Sequence, residues 1–270
     1  MGIFDGVLLV SDFDDTLVNR KKQLPERTKQ ALEWFVSQGG LFTLASGRGL
    51  ESVRPQVPGL PIGAPVIVAN GTQIYDLRRE RLLFEACFQE TVKKDFAETL
   101  EAFPTSAVEV FGAGQLYAVR PNEVTKVHLE VTGQHAQVAA LEDIPIPWVY
   151  AKFEDTHEHL EEMQRWMKEQ FGSRYGIFFS HPMLLEITPG GCNKGTGVIK
   201  LAELLGIDRA NLYCAGDNEN DLAMLEAAAV GFTPAGSTQA ALSAADVIVC
   251  DCDQGAIADV VQHLKRRYHA

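Results

Sequence analysis

The feature that most constrains the fold is a short apolar run that ends abruptly in acids, residues 7–17 with the sequence VLLVSDFDDTL. A run of this kind is typical of a strand buried on both faces, as in parallel sheets. Side chains alternate along an extended chain, which predicts that Asp12 and Asp14 point to one side and Asp15 to the other. Two carboxylates at the carboxyl end of a buried strand lie where open α/β sheets bind their ligands.

These neighbouring carboxylates favour a metal site. Like charges held close together are costly unless a cation neutralises them, and Mg²⁺ prefers carboxylate oxygens. The alternative is that residues 12–16 form only a turn and a helix cap, because Asp and Thr are common in both. The stretch by itself leaves both interpretations open.

The order of predicted elements indicates two domains. Strand and helix patterns alternate up to residue 76, as in a doubly wound parallel sheet, and Asn70-Gly71 there predicts a hairpin with a type I′ turn. From residue 77 to 185 the pattern changes to hairpins and helices, and beyond Pro189 the βα alternation returns. We therefore predict an α/β core domain from residues 1–76 and 186–270, with an inserted α+β domain at residues 77–185.

Length and composition set broad limits on function. A chain of 270 residues is long enough for about two domains, and its formal charge of −12 argues against nucleic acid or an anionic membrane as the main partner. Five cysteines without a Cys-x-x-Cys pair favour reduced thiols. No apolar run approaches a membrane span, and no basic leader is present, so we expect a cytoplasmic protein.

Three predicted strands end in polar clusters that are far apart in the sequence. The clusters are Asp12 with Asp14, Ser46 with Gly47, and residues 217–221. The carboxyl ends of parallel strands lie at one edge of a sheet, so these clusters converge, and Lys194 at a helix start could reach the same edge. Acids for a metal, a hydroxyl, backbone amides and one cation together suit phosphoryl transfer, which needs mainly positioning and charge neutralisation.

With this combination of polar clusters, the chain resembles the haloacid dehalogenase superfamily, in particular its Cof-type phosphatases. These phosphatases carry a large α/β cap on a Rossmann-like core. The four motifs of that family are matched in order by DFDDT at 12–16, SGR at 46–48, Lys194-Gly195 and GDNENDLAM at 216–224. Asn70-Gly71 also resembles the group. One departure is Asp15, where such members often have Gly. Its outward direction predicts a structural role in the turn.

The resemblance implies a role for each matched residue. Asp12 would be the nucleophile and a Mg²⁺ ligand. Asp14 would be the general acid and then base, offering its backbone carbonyl to the metal, and we expect a raised pKa for it. The remaining implied residues are Asp217 as a metal ligand, Asp221 in support of the metal's waters or of Lys194, and Ser46, Gly47, Lys194 and Asn220 as phosphate ligands.

The resulting prediction is a Mg²⁺-dependent phosphatase that hydrolyses a small phosphomonoester through a phosphorylated Asp12. The resemblance makes a sugar phosphate the first choice of substrate and leaves the oligomeric state open between monomer and homodimer. Candidates for contacting the leaving group are Arg48, Glu109, Lys152 and His181. The alternatives are a catalytically idle sugar-phosphate binding protein and a phospho-accepting signalling protein. The inserted domain and the second acidic cluster argue against a signalling protein.

Overall fold

The computed structural model describes residues 2–268 of the chain. The strands in chain order are β1 (Leu8–Ser11), β2 (Leu41–Leu44), β3 (Val66–Val68), β4 (Gln73–Asp76), β5 (Arg81–Glu85), β6 (Ala107–Gly112), β7 (Gln115–Val119), β8 (Gln137–Val138), β9 (Trp148–Glu154), β10 (Tyr175–His181), β11 (Leu184–Pro189), β12 (Leu212–Ala215), β13 (Val230–Pro234) and β14 (Val247–Val249). The α-helices are α1 (Glu26–Ser37), α2 (Leu50–Val53), α3 (Val92–Ala102), α4 (Glu123–Thr132), α5 (His157–Phe171), α6 (Lys194–Leu205), α7 (Leu222–Ala227), α8 (Gln239–Ala244) and α9 (Ala256–Tyr268). Within residues 2–268, none of these helices has both the length and the apolar character that crossing a membrane requires.

The chain divides into two compact units. The first holds the chain up to Phe84 and again from Asn193, and the second is Glu85–Cys192. This second unit begins and ends later than the predicted insertion at residues 77–185. The difference follows from strand pairing, because β5 pairs with β4 in the first unit, whereas β11 pairs with β9 and β10 in the second.

The first unit is built on a parallel sheet with the strand order β14-β13-β12-β1-β2. Its strand β1, which lies between β12 and β2, is buried on both faces, as the apolar run predicts. Leu9 packs with residues of α1 and α9, while Leu8 and Val10 pack on the opposite face with residues of α6 and α7. Helices on both faces of a parallel sheet define the doubly wound α/β fold, so the predicted fold class is confirmed for this unit.

A hairpin of β3 and β4 accompanies this sheet, and its loop is longer than the two residues of a minimal hairpin. Val68 pairs with Gln73, so the loop has four residues rather than two. Three of them in a row are left-handed, with φ of 49° at Ala69, 52° at Asn70 and 90° at Gly71. The predicted type I′ turn at Asn70-Gly71 is present within this longer loop, because both residues have positive φ and the Thr72 amide donates to Ala69 O at 3.2 Å.

The second unit is a six-stranded sheet in the order β10-β11-β9-β6-β7-β8, antiparallel except for the β7–β8 pair. Helices α3 and α5 supply Phe96, Leu160 and Met163 to an apolar core that also contains Val108 and Val110 of β6. Because side chains alternate along a strand, Glu109 of β6 lies on the other face. The segregated helices and antiparallel pairing agree with the α+β character predicted for the insertion.

Candidate active site

The carboxyl ends of the central strands in the first unit meet at one edge of the parallel sheet. The backbone amide of Asp12, just after β1, donates to Ala215 O at the end of β12 at 2.8 Å. The amide of Ala45, just after β2, donates to Ser11 O at 2.9 Å, and that of Ser46 donates to Ile67 O of β3 at 2.9 Å. These bonds bring the acidic, hydroxyl and second acidic clusters together, as the sequence predicts.

A buried lysine joins two of these acids. Lys194 Nζ lies 2.5 Å from Asp12 Oδ1 and 2.6 Å from Asp221 Oδ1, and Lys194 is 1% exposed. The first turn of α6 carries this lysine, and Asn193 caps the helix by accepting from the Thr196 amide. Charge-assisted bonds of this kind hold the ammonium group in place. The start of α6 sets where the backbone of Lys194 lies.

The second acidic cluster is ordered by its own side chains. Asp221 Oδ2 accepts from the amides of Asp217 at 2.9 Å and Asn218 at 3.0 Å. The Thr16 hydroxyl donates to Asp217 Oδ1 at 2.7 Å. Both oxygens of Asp221 are thus engaged within the protein, whereas Asp217 has one oxygen outside the Thr16 contact.

The electrostatics of this cluster favour a bound cation. Burial raises the pKa of Asp12 well above its ordinary value, with Asp221 and Asp217 adding to the effect and Lys194 offsetting part of it. Burial and Asp221 likewise raise the pKa of Asp217 to about 7. Ligand atoms of Asp12, Asp217 and Asp221 all lie within 4.8 Å of one another. Three carboxylates with one ammonium leave excess negative charge, and a hard divalent cation fits this donor set.

Asp14 departs from its predicted pKa. The Arg48 guanidinium donates to both of its oxygens, at 2.7 and 2.9 Å, and Lys22 Nζ lies 3.1 Å away. Burial by itself would raise the pKa of Asp14, but these two cations more than offset burial and lower it. The predicted raised pKa is therefore wrong, because the sequence does not show that Arg48 and Lys22 converge on Asp14.

The turn after β1 explains where the next acid points. Asp15 adopts φ of 57°, which ends the extended alternation assumed for residues 12–15. Its side chain is 45% exposed and pairs with Lys22 at 3.2 Å. This left-handed position is one that Asp tolerates better than most residues other than Gly.

The end of β2 and the second acidic cluster meet through a residue that the sequence analysis did not place in the site. The Asn220 carboxamide Nδ2 donates to Asn70 Oδ1 at 3.0 Å, and a Cβ added at Gly47 would lie 3.1 Å from the Asn70 carboxamide. Ser46 is buried, and its hydroxyl accepts from the Arg48 amide at 3.1 Å. Asn70 was noted for its turn and, with Gly71, as part of the resemblance to the family, but no sequence pattern pairs it with Asn220.

Two predicted leaving-group candidates, Glu109 and Lys152, lie in a buried polar cluster of the second unit. Lys152 faces Glu109 of β6 and Glu186 of β11 in the strand register, and Glu109 Oε1 lies 3.2 Å from His128 Nδ1. Although burial opposes its charge, Glu186 and Glu109 raise the pKa of Lys152. Of the other two candidates, His181 ends β10 and Arg48 holds Asp14.

The same cluster contains a carboxyl group that burial keeps protonated. Burial and the Glu109 charge raise the pKa of Glu154 to about 8. Glu109, His128 and Glu154 are spaced closely enough for a metal. However, Lys152 Nζ lies 3.4 Å from His128 Nε2, and an ammonium can only donate. The imidazole lone pair is therefore already engaged, and the proton on Glu154 balances the charge without a cation.

Similarity to known proteins covers nearly the whole chain. A family model described as haloacid dehalogenase-like hydrolase matches residues 9–261. An HMP-PP phosphatase from Serratia proteamaculans (strain 568) is 28% identical over 270 residues, covering 96% of this chain and 95% of the relative. An HMP-PP phosphatase from Cronobacter sakazakii is 32% identical over 225 residues, covering 82% and 80%. The putative phosphatase YxeH from Bacillus subtilis is 26% identical, covering 95% and 97%.

Solved structures agree on the fold. A sugar phosphatase of haloacid dehalogenase subclass IIB superposes with a TM-score of 0.86 at 21% identity, covering 96% of this chain and 98% of the other. A haloacid dehalogenase-like hydrolase from Bacteroides thetaiotaomicron gives 0.79 at 22% identity, covering 96% and 99%. At identities this low, the similarity shows only that the architecture is shared.

Proposed function

Because this chain belongs to the haloacid dehalogenase-like hydrolase family, we propose that it is a Mg²⁺-dependent phosphatase acting through a phosphorylated Asp12. The observation that carries the proposal is the buried Asp12 carboxylate, held by Lys194 and surrounded by the acids Asp217 and Asp221 at the edge of the parallel sheet. Relatives at 26–32% identity are named phosphatases, which supports the same reaction class.

The proposed Mg²⁺ ligands are Asp12, Asp217 and the backbone carbonyl of Asp14. Asp221 supports the site without binding the ion directly, because Lys194 and two backbone amides already engage its oxygens. When bound, the ion neutralises charge on the phosphate and on Asp12, so that one anion can approach another. A bound cation would lower the raised pKa values of Asp12 and Asp217 and would favour the ionised form of both groups.

The reaction starts with the Asp12 carboxylate. One oxygen attacks phosphorus, the bond from phosphorus to the ester oxygen breaks, and the leaving alkoxide takes a proton from the Asp14 carboxyl group. Lys194, Ser46, the Gly47 amide and Asn220 hold the phosphate oxygens. Lys194 also orients Asp12, since its 2.5 Å bond engages Oδ1 and leaves Oδ2 to react.

Asp14 serves both halves of the reaction. As the anion that Arg48 and Lys22 stabilise, it is ready to take a proton from the water that hydrolyses the phosphorylated Asp12. As the acid of the first half it must carry a proton, which the pairing with these two cations disfavours. We therefore expect this pairing to loosen when substrate binds.

The proposed substrate is a small phosphorylated metabolite, with a sugar phosphate as the first choice. A sugar phosphatase is among the structural neighbours, whereas several curated relatives are named HMP-PP phosphatases, which makes HMP-PP the second candidate. The net charge of −12 argues against nucleic acid and anionic membranes as partners. We also propose a cytoplasmic location and a monomer or homodimer.

Phosphate release from a panel of sugar phosphates, nucleotides, pyridoxal phosphate and HMP-PP, with and without Mg²⁺, tests the proposal. Release should require Mg²⁺ and fall by at least about 10³-fold in Asp12→Asn, which loses the nucleophile but keeps the side-chain shape. Asp253→Asn, at an exposed acid, is the matched control. Full turnover in Asp12→Asn would contradict the assignment of Asp12 as the nucleophile. Phosphate-ester binding without release by the wild type indicates the idle binding protein instead.

A further inference from the structure

One loop of the first unit is held in an unfavourable backbone conformation beside the proposed phosphate site. Ala69, Asn70 and Gly71 are consecutively left-handed, with φ of 49°, 52° and 90°. Residues other than glycine adopt this region rarely, although Asn does so more readily than Ala. Such conformations persist only where surrounding contacts enforce them, and they concentrate at functional sites.

Backbone hydrogen bonds attach this loop to the end of β2. The Asn70 amide donates to Ser46 O at 3.0 Å, and the Ala69 amide donates to Arg48 O at 2.9 Å. The loop therefore runs alongside the segment that carries the proposed phosphate ligands Ser46 and Gly47. Its backbone is fixed relative to that segment on both sides of Gly47.

The Asn70 side chain extends from this loop to the second acidic cluster. Asn70 is 1% exposed, and its Oδ1 accepts from Asn220 Nδ2 at 3.0 Å. A Cβ added at Gly47 would lie 3.1 Å from Asn70 Nδ2 and 3.5 Å from Asn220 Nδ2. Asn70 thus lies between two proposed phosphate ligands that come from different strands.

The loop also contacts the start of α6. A Cβ added at Gly71 would lie 2.1 Å from Asn193 O, the residue before Lys194, so only glycine allows this approach. Three segments that carry the proposed phosphate site therefore meet at residues 69–71. Of the three loop residues, Asn70 alone offers a polar side chain to them.

We propose that Asn70 is a positioning residue that fixes the Asn220 carboxamide for phosphate binding, an inference that rests on the proposed function. Its Oδ1 holds one N–H of Asn220 Nδ2, which leaves the second N–H of the same nitrogen for a phosphate oxygen. A carboxamide turned by 180° would present its carbonyl oxygen to the phosphate dianion and repel it. Asn70 thus selects the orientation that donates, and its own left-handed backbone sets where that acceptor lies.

A double-mutant cycle between Asn70 and Asn220 tests this role. Inhibition by inorganic phosphate is measured with saturating Mg²⁺ and p-nitrophenyl phosphate as substrate. Asn70→Gly removes the carboxamide but tolerates the left-handed backbone, and Asn220→Ala removes the phosphate ligand. Each single change should raise the inhibition constant about tenfold, the usual cost of one hydrogen bond to a charged group. The double variant should be no weaker than Asn220→Ala, because Asn70 acts through Asn220.

The control is Ala69→Gly, which relaxes the same loop without touching a proposed ligand and should leave phosphate inhibition unchanged. Multiplicative losses in the double variant, or an unaffected Asn70→Gly, overturn the proposal, because a merely structural residue would act independently of Asn220. If circular dichroism shows that Asn70→Gly is unfolded, Asn70→Ser repeats the cycle with a side chain too short to reach Asn220.

A calorimetric titration with inorganic phosphate separates this inference from the proposed function. If the wild type releases no phosphate from any ester, the phosphatase proposal fails, while the same cycle still measures Asn70–Asn220 coupling in phosphate affinity. If the wild type turns over and the coupling is absent, only the role of Asn70 is overturned.

Discussion

Asp14 is the residue whose chemistry depends most on its neighbours. Arg48 and Lys22 lower its pKa, whereas the buried Asp12 two residues earlier has a raised pKa. The two carboxylates are thus driven apart in acidity by different surroundings. Without Mg²⁺ or substrate this order is the reverse of what an Asp12 nucleophile and an Asp14 acid need, so the proposed first half-reaction requires the cation to favour ionised Asp12 and the pairing of Asp14 to loosen.

Asp14→Asn should slow the hydrolysis of alkyl phosphates more than that of aryl phosphates. The variant cannot protonate a leaving group, which matters for a sugar alkoxide and little for p-nitrophenolate. We expect kcat/KM for the best sugar phosphate to fall by about 10²–10⁴-fold and that for p-nitrophenyl phosphate by clearly less. The value of kcat/KM is the right measure because it covers the steps through leaving-group departure. Asp15→Asn, in the same turn, is the control. Equal losses on both substrates would exclude Asp14 as the acid.

Sequence patterns predicted which residues converge, but not how each one is charged. Asp12, Lys194, Asp217 and Asp221 lie together because strand ends and a helix start bring them together, and those elements are visible in the chain. The pairing of Asp14 with Arg48 and Lys22 depends on long side chains whose directions only the folded turn sets. The contact of Asn70 with Asn220 was missed because it depends on the left-handed loop that places the Asn70 side chain.

Helix α6 packs closely against α7. A Cβ added at Gly195 would lie 2.4 Å from Ala223 O and 2.6 Å from Ala223 C, both backbone atoms of α7. Gly195 directly follows Lys194, so this packing sets how far the lysine reaches toward Asp12.

Gly195→Ala should therefore weaken both the fold and the reaction. Forcing α6 away from α7 should cost about 1–3 kcal/mol of the free energy of unfolding, as overpacking does. It should also lower kcat by displacing the Lys194 ammonium. Urea denaturation and steady-state kinetics measure the two effects. Glu203→Ala, at an exposed position of the same helix, should change stability by less than about 0.5 kcal/mol. A stable, fully active Gly195→Ala would contradict the close approach.

Element boundaries were less predictable than element order. The βα alternation and the inserted hairpins follow from hydrophobic periodicity, which is strong in long segments. The short helices α2 and α8 and the two-residue strand β8 were not predicted, since so few residues carry no periodic signal. The turn at Asn70-Gly71 was predicted, but the four-residue length of the loop after β3 was not, because Asn-Gly marks the turn and not the last paired residues.

The strand β9 carries a carboxyl group that should make stability depend on pH. Glu154 has an ordinary pKa of 4.5 that burial raises to about 8, so the folded state binds its proton more tightly than the unfolded state does. Stability should therefore decrease as the pH rises from about 4.5 to 8.

Glu154→Gln should reduce the loss of folding stability that the wild type shows as the pH rises. Glutamine resembles the protonated acid, so the variant should be more stable than the wild type at pH 9 by an amount on the order of a few kcal/mol, with a smaller difference at pH 5. Thermal unfolding across this pH range measures it. Glu158→Gln, on the exposed start of α5, is the control and should follow the wild type. A parallel decline in Glu154→Gln and wild type would show that Glu154 is ionised in the fold at neutral pH.

For the whole molecule, the family predicted from four motifs is confirmed by a match over residues 9–261. The motifs sufficed because this fold brings distant strand ends to one edge, so their order along the chain encodes the site. The substrate is not encoded in this way. The second unit offers a buried network of Glu109, His128, Lys152, Glu154 and Glu186, and no motif links such a network to a ligand.

The excess negative charge of the site links global stability to Mg²⁺. An ion that binds only the folded state should stabilise it by about 2.7 kcal/mol at 100 times its Kd. The melting temperature should rise by several degrees in the wild type and not in Asp217→Asn, while Asp143→Asn, at an exposed acid outside the site, should respond like the wild type. Because Asp217 must lose a proton held with a pKa of about 7, the rise should be large at pH 8 and small at pH 5.5. Differential scanning fluorimetry with MgCl₂ measures this dependence. An equal rise in Asp217→Asn would mean that Mg²⁺ stabilises the protein from elsewhere on its acidic surface.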